Sequence, residues 1–427
     1  MSNQVIIIAG GKATRLRNEL GDQPKSLAKI GTHTILDYQL HHVLKNNINS
    51  LHFCLGYKSQ IILNYLELNY PDLNYTYSIE NEPLGTYGAL LNSIDFLKED
   101  FFVLLGDIFT DFNINFGFSR FRKKRADVML VTRYTDHPSD SDLVITNKDG
   151  RVLNIKRSPE HESMLSIKGN TGLLYMKKDS LISTTNTNKK DIVKDFLKNN
   201  LKELNVIEHF TTDYIKDVGT ENRLNEQRKK TKFLGMEPKK LACFIDRDET
   251  IIFDQGNSND ISKIKIKPYA IGLINFLKKN NIKIILITNQ PGVAKGFFTI
   301  EQLELFHLQL QKELIRKNSK PIDAIYYCPH HPERGFENEI TELKINCTCR
   351  KPKTGLVDKA IKELNLQDFD FFLIGDTKND YILSKDLKIN SYIVKSKQTE
   401  LDYFKVINKK VFSNLNHIKK ELEEMVF

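Results

Sequence analysis

Two aspartates set two residues apart, Asp246 and Asp248 in Asp246-Arg247-Asp248-Glu249-Thr250, follow the apolar run Cys243 to Ile245 in this 427-residue chain. Side chains two apart on an extended backbone point the same way, so both carboxylates can face one site and share a cation; taken alone, such a pair also marks a solvated turn. More of the pattern favours a site. A second apolar run, Ile282 to Ile287, ends in Thr288-Asn289-Gln290, Arg350-Lys351-Pro352 brings positive charge, and Phe371 to Ile374 runs into Gly375-Asp376 with Asp380 four residues on. Strands that each end in such a residue form a phosphate site at one sheet edge. Between them, Cys328-Pro329-His330 and Cys347-Thr348-Cys349 are two chelating pairs separated by sixteen residues. Three thiolates and one imidazole make a tetrahedral zinc set, with His331 the rival of His330; four protein ligands leave no open position, so the zinc shapes a loop and performs no chemistry.

The first half carries a different set. Gly10 and Gly11 follow the run Val5 to Ala9, where backbone N–H groups can approach an anion, and Thr14 and Arg15 can add a hydroxyl and a guanidinium fork. Pro24-Lys25 offers charge for a second phosphate, and Asn81-Glu82-Pro83-Leu84-Gly85-Thr86 supplies another turn. Asp107, after Phe102 to Leu105 and Gly106, and Asp217, in Tyr214-Ile215-Lys216-Asp217-Val218-Gly219, are carboxylates at strand ends. Each is either a turn cap or a cation ligand.

Both sets need the same support: short β-branched strands running into loops, alternating with helices, which predicts α/β layers with largely parallel sheets. The length allows two or three domains, and the charged stretch Asn225 to Lys240, with Gly235 and Pro238, places a boundary near residue 235 and domains over 1–235 and 236–427. Lys and Arg number 63 against 54 Asp and Glu, a net +9. The excess is even, with 32 basic against 28 acidic residues up to Lys232 and 31 against 26 beyond it, so there is no basic arm. That distribution suits phosphorylated small molecules better than a nucleic-acid track. With no cationic leader, no long apolar span and an odd count of five cysteines, the expected setting is the cytoplasm, without a membrane partner or a disulfide framework.

In the order Ala9-Gly10-Gly11-Lys12-Ala13-Thr14-Arg15-Leu16, Pro24-Lys25, Leu84-Gly85-Thr86, Gly106-Asp107, Asn170-Thr171-Gly172 and Asp217-Val218-Gly219, the first 225 residues resemble the sugar-1-phosphate nucleotidyltransferase family, most closely the D-glycero-α-D-manno-heptose 1-phosphate guanylyltransferases. The resemblance implies a GT-A-like, Rossmann-like fold and attack of a sugar 1-phosphate oxygen on the α-phosphate of a nucleoside triphosphate, GTP by this likeness. It implies Mg²⁺ on Asp107 and Asp217, a triphosphate cradle from Gly10 and Gly11 to Thr14 and Arg15, and charge balance at the reacting phosphate by Lys25. Gly85 and Thr86 would meet the base and Asn170 the sugar.

The order Asp246-Arg247-Asp248, Thr288, Lys351 and Asp376 resembles the haloacid-dehalogenase (HAD) phosphatase superfamily over roughly residues 241 to 395. The cysteine loop and Thr288-Asn289-Gln290-Pro291-Gly292-Val293-Ala294-Lys295-Gly296 narrow it to the D-glycero-D-manno-heptose 1,7-bisphosphate phosphatases and their histidinol-phosphatase relatives. By this likeness Asp246 is the nucleophile, Asp248 the general acid and base, and Thr288 and Lys351 stabilise the transferring phosphoryl group. Asp246, Asp248 and Asp376 surround Mg²⁺, Asn289 and Arg350 contact substrate, and Cys328, His330, Cys347 and Cys349 hold structural Zn²⁺.

Four positions depart from these patterns: Ala13 for a usual glycine, Ile155-Lys156-Arg157-Ser158 for a Glu-Lys pair, Glu249 for a usual glycine, and Thr377-Lys378 where lysine often follows the aspartate directly. Together the halves imply a bifunctional enzyme that removes the 7-phosphate of a heptose 1,7-bisphosphate and activates the resulting 1-phosphate with a nucleotide. The alternatives are the same folds acting on another triphosphate, a hexose phosphate or histidinol phosphate, and a polyanion-binding scaffold without catalysis.

Overall fold

The computed structural model describes residues 3–11, 16, 20, 21, 23–135, 137–157, 166–182, 191–231, 240–256 and 259–426. The chain divides into two compact units, one of Met1–Arg133 with Pro138–Pro238, the other of Lys239–Phe427 with Tyr134–His137.

In the first unit the strand Gln4–Ile8 lies between Ser50–Leu55 and Asp100–Leu105, parallel to both, and Tyr75–Ile79 extends the parallel run beyond Ser50–Leu55. On the other side Lys168–Lys177 runs antiparallel to Asp100–Leu105, and Val206–Phe210 pairs in parallel with Val128–Tyr134. Side chains alternate across this sheet into two cores. Val5, Ile7, Phe102 and Leu104 pack on one face with the Ile35–Lys45 and Ser59–Asn69 helices, while Ile6, Phe101 and Val103 pack on the other with Tyr87 and Phe196. Because the chain leaves Gln4–Ile8 toward one side and returns to pair on the other, the carboxyl end of this strand is the switch point of the sheet, the place where open α/β sheets bind ligands. A separate ladder, Ile108–Thr110 antiparallel to Ile215–Asp217, sets Ile108 opposite Asp217.

The second unit is a six-stranded parallel sheet. Leu241–Ile245 lies between Lys283–Asn289 and Asp370–Gly375, followed outward by Ala324–Cys328 on one side and by Asn390–Val394 and Val411–Phe412 on the other. These strands are nearly continuous apolar runs because helices such as Ala270–Lys279, Ile300–Arg316 and Leu415–Val426 cover the sheet. Thr299 caps the longest of them: its hydroxyl accepts from Gln302 N at 3.2 Å, and the Gln302 amide oxygen accepts from Thr299 N at 2.8 Å. Among the described residues no helix is long and apolar enough to cross a membrane.

Candidate active sites

In the second unit Asp246, Thr288 and Asp376 stand at the carboxyl ends of three neighbouring strands, and Lys351 reaches them from the loop after the cysteine pairs. Lys351 Nζ lies 2.6 Å from Asp246 Oδ1 and 2.7 Å from Asp380 Oδ1. Asp246, Asp376 and Asp380 are all buried, with ligand oxygens within 4.8 Å of one another. One ammonium cannot neutralise three carboxylates. Burial and the neighbouring aspartates push Asp246 well above the usual carboxylate range against the pull of Lys351; burial likewise raises Asp376 to about 7, although Ser396 Oγ donates to it at 2.6 Å. Burial alone would discharge Lys351, but Asp246 and Asp380 overcome it and hold the ammonium above its ordinary range. A buried all-oxygen cluster with excess negative charge fits a hard divalent cation such as Mg²⁺.

This grouping differs from the expected one at one position. Asp380, in the first turn of Lys378–Asp386, takes the third place, and the Asp248 carboxylate turns elsewhere, to Arg247 Nη2 at 3.0 Å and Gln290 Nε2 at 2.8 Å. Asn289 also differs from a simple substrate contact. Its amide oxygen accepts from Lys351 N at 2.9 Å and its amide nitrogen donates to the Lys351 carbonyl at 3.1 Å, fixing the lysine's backbone.

The sequence departures have local answers. Glu249 sits at φ 53°, the left-handed region that explains a usual glycine, yet its carboxylate and carbonyl both accept from Lys267 Nζ at 2.8 Å. Lys378 Nζ lies 4.0 Å from Glu400, so the shifted lysine does not replace the expected support; Ser396 stands there, with Lys267 helping to lower Asp376.

Cys328, His330, Cys347 and Cys349 offer four ligand atoms within 4.8 Å of one another. Sulfur separations of 3.2, 3.4 and 3.5 Å, with His330 Nδ1 3.2 Å from Cys349 Sγ, approximate the edges of a tetrahedron whose centre is about 2.0 to 2.3 Å from each ligand. His331 is not in the set; its Nε2 faces Glu333 at 3.8 Å. The soft donors fit zinc. The loop they shape is stitched to the one after Thr288: Gln290 N donates to the Cys328 carbonyl at 2.7 Å and Ala294 N to that of Pro329 at 3.2 Å. Gly296, at φ 76°, leaves no room for a Cβ against the Asn338 carbonyl. Arg350 donates to the His330 carbonyl at 3.4 Å, beside this loop.

In the first unit Asp107 and Asp217 meet because of the short ladder, with Val218 N donating to the Asp107 carbonyl at 2.9 Å. A Cβ on Gly219 would fall 2.5 Å from Lys25 Nζ, 2.7 Å from Asp217 Oδ1 and 3.0 Å from Asp107 Oδ2, so glycine is what lets the three charges converge. Lys25 Nζ is hydrogen-bonded to Asp107, and Arg223 Nη1 lies 2.8 Å from Asp217 Oδ2. Two carboxylates brought together beside cationic groups again fit Mg²⁺ and phosphate oxygens.

Gly10 packs against Glu80, whose Oε1 would lie 2.7 Å from a Cβ at that position, while Gly11 stands open. Glu80 Oε2 accepts from Leu84 N at 3.2 Å, one residue before the Gly85–Asn92 helix, and burial pushes its carboxyl upward. Thr86 Oγ1 accepts from Ile192 N at 2.9 Å, so it ties two segments together. Asn170 lies at the start of Lys168–Lys177, its amide oxygen accepting from Gly172 N at 3.4 Å. Lys12, Ala13, Thr14, Arg15 and Ser158 lie outside the described residues; Arg157 pairs with Asp142 at 3.1 Å. Asp380, Lys267, Ser396, Arg223 and Glu80 are the site residues sequence reasoning left unassigned.

Fold and sites define an enzyme with two centres of phosphate chemistry, a nucleotidyltransferase and a phosphatase. Residues 4–232 match the nucleotidyl transferase family, and the second unit is similar to D-glycero-beta-D-manno-heptose-1,7-bisphosphate 7-phosphatases. The chain therefore belongs to the nucleotidyl transferase family and, in its C-terminal part, to the family of those phosphatases. The phosphatase of Pasteurella multocida (strain Pm70) is 36% identical over 161 residues, covering 37% of this chain and 83% of the relative. That of Escherichia coli (strain K12) is 34% identical over 139 residues, covering 33% and 70%. Among solved structures, HddC from Yersinia pseudotuberculosis is 24% identical with a TM-score of 0.47, covering 54% of this chain and 99% of that one.

Proposed function

We propose that the chain makes a nucleotide-activated heptose in two consecutive steps. The observation that carries this reading is the joining, in one chain, of a nucleotidyl transferase to a unit whose relatives are named for removing the 7-phosphate of a heptose 1,7-bisphosphate. The product of that reaction is a sugar 1-phosphate, the kind of acceptor a nucleotidyl transferase consumes. GTP is the triphosphate we assign, from the likeness of the first half to guanylyltransferases, and the cytoplasm is where both substrates would be met.

In the phosphatase unit, Asp246 attacks the 7-phosphorus and forms an aspartyl-phosphate while the sugar oxygen leaves with a proton from Asp248; water then cleaves the intermediate. Lys351, fixed by Asn289, and Thr288 balance charge on the transferring group, and Arg350 is placed to hold the second phosphate. Mg²⁺ on Asp246, Asp376 and Asp380 would supply charge neutralisation, and Zn²⁺ on Cys328, His330, Cys347 and Cys349 would shape the substrate loop. In the transferase unit the work is positioning and charge balance by Lys25, Asp107 and Asp217, with Gly10, Gly11, Thr14, Arg15, Gly85, Thr86 and Asn170 around the substrates.

The test supplies purified protein with D-glycero-D-manno-heptose 1,7-bisphosphate, as separate α and β anomers, with GTP or another triphosphate and Mg²⁺. Expected are free phosphate, pyrophosphate and GDP-heptose. Phosphate release without any nucleotide sugar from either anomer would sink the two-step reading, and preference for another triphosphate would sink the guanine assignment.

A further inference from the structure

Arg247 stands between the two aspartates of Asp246-Arg247-Asp248 and is only 5% exposed. Its Nε donates to Asp248 Oδ1 and its Nη2 to Oδ2, both at 3.0 Å. Behind, Nη1 donates to His307 Nε2 at 3.1 Å, and the guanidinium carbon lies 4.7 Å from the centre of the Phe306 ring. His307 is itself buried on the Ile300–Arg316 helix, where burial and the Arg247 charge keep its ring neutral; Nε2 is then the acceptor and Nδ1 carries the proton. Gln290 Nε2, which also donates to Thr288 Oγ1 at 2.9 Å, adds a third donor to Asp248.

Burying a guanidinium is expensive, and an apolar side chain would fill the same space at lower cost. The expense has a geometric return. Asp246 turns into the carboxylate cluster beside Lys351, while Asp248, two residues later, is kept out of it. A free carboxylate so near a divalent ion would join its coordination shell. A two-point fork fixes the plane of the carboxylate; with Gln290 taking the second lone pair of Oδ2, Oδ1 keeps one for substrate.

We propose that Arg247, braced by His307 and Phe306, is the positioning residue that holds Asp248 out of the cation cluster and aimed at the leaving oxygen. The inference rests on the phosphatase reading. In the first half-reaction a bond forms between Asp246 Oδ and phosphorus, the phosphorus–ester oxygen bond breaks, and Asp248 gives its proton to the departing oxygen. In the second, water attacks phosphorus, its proton passes to Asp248, and the Asp246–phosphorus bond breaks. Arg247 touches neither phosphorus nor the leaving group and acts through Asp248.

The experiment uses the full chain with Arg247→Met, Arg247→Lys and His307→Phe, and a series of aryl phosphates from p-nitrophenyl to phenyl phosphate. Values of kcat/KM report only transfer to Asp246, and a good leaving group needs little protonation. With Asp248 adrift, phenyl phosphate should lose about 100-fold or more and p-nitrophenyl phosphate less than about five-fold. The latter should also show a burst of p-nitrophenolate matching the enzyme concentration, followed by slow turnover. Arg247→Lys keeps the charge without the fork and should fall between wild type and Arg247→Met. An equal loss on every ester, as from general disruption, or no loss at all, would overturn the proposal; His307→Phe repeats the test if the arginine variants fail to fold. Wild type active on aryl phosphates but not on heptose bisphosphate would remove the heptose assignment and leave this inference standing, and wild type inactive on both would remove both.

Discussion

Lys351 Nζ lies 2.6 Å from Asp246 Oδ1, with the two side chains 4% and 11% exposed. That contact opposes the desolvation that pushes the Asp246 carboxyl toward its protonated form. Asp246→Asn should abolish phosphate release while leaving nucleotidyl transfer from preformed heptose 1-phosphate within about two-fold of wild type, because the proposed nucleophile belongs to the second unit. Parallel assays of phosphate and of nucleotide sugar check this, and a joint loss would show that the units do not act separately.

Asp380 shares the same ammonium at 2.7 Å and completes the buried cluster. Asp380→Asn is expected to weaken Mg²⁺ activation of the phosphatase about 10- to 100-fold, read as the Mg²⁺ concentration for half-maximal rate. An unchanged Mg²⁺ requirement would exclude Asp380 from the cation site.

The thiol and imidazole set should hold one zinc per chain by elemental analysis. Cys349→Ser should lower that content, raise the phosphatase KM at least about ten-fold and leave nucleotidyl transfer intact. A phosphatase indifferent to the loss of zinc would separate the loop from substrate binding.

At Glu249 two effects oppose. A non-glycine residue in the left-handed region costs about 1 to 2 kcal/mol, whereas leaving a buried charge without its partner costs about 3 to 5 kcal/mol. Glu249→Ala keeps the strain and loses the Lys267 contact, so it should destabilise more than Glu249→Gly, by about 1 kcal/mol in urea unfolding. The reverse order would mean that the backbone strain is negligible.

His209 is 2% exposed, and burial with the nearby Arg120 charge lowers it to about 3, below the ordinary 6.5. A histidine depressed on folding contributes stability that is full above pH 6.5 and is lost as pH falls toward 3. The first unit should therefore lose about 2 kcal/mol at pH 5 relative to neutral pH from this group, and His209→Phe should flatten that part of the profile.

Much of the second site was legible because Asp246, Thr288 and Asp376 each end an apolar run, and parallel strands bring such ends to one edge. Asp380 was not, since a carboxylate in a helix's first turn reads as a cap. It is that too: Oδ2 accepts from Thr377 Oγ1 at 2.8 Å while Oδ1 meets Lys351. Lys267 and Ser396 approach through tertiary packing that no local pattern encodes. Nor does the Asp-Arg-Asp spacing reveal that its two carboxylates part company; that depends on His307, sixty residues on. In the first unit the strand-end aspartates were visible, but their convergence with Lys25 on Gly219 follows from the Ile108–Asp217 register.

That register also sets the order in which the transferase centre comes into being. The strands from Gln4 to Leu105 can collapse on contacts made early in the chain, whereas Asp217 arrives only after the intervening strands have been made. Pairing across so long a loop is entropically slow. A chain halted during synthesis before residue 215 would keep most of its sheet and lack one half of its acid pair, so the transferase unit gains that pair only when it is nearly complete.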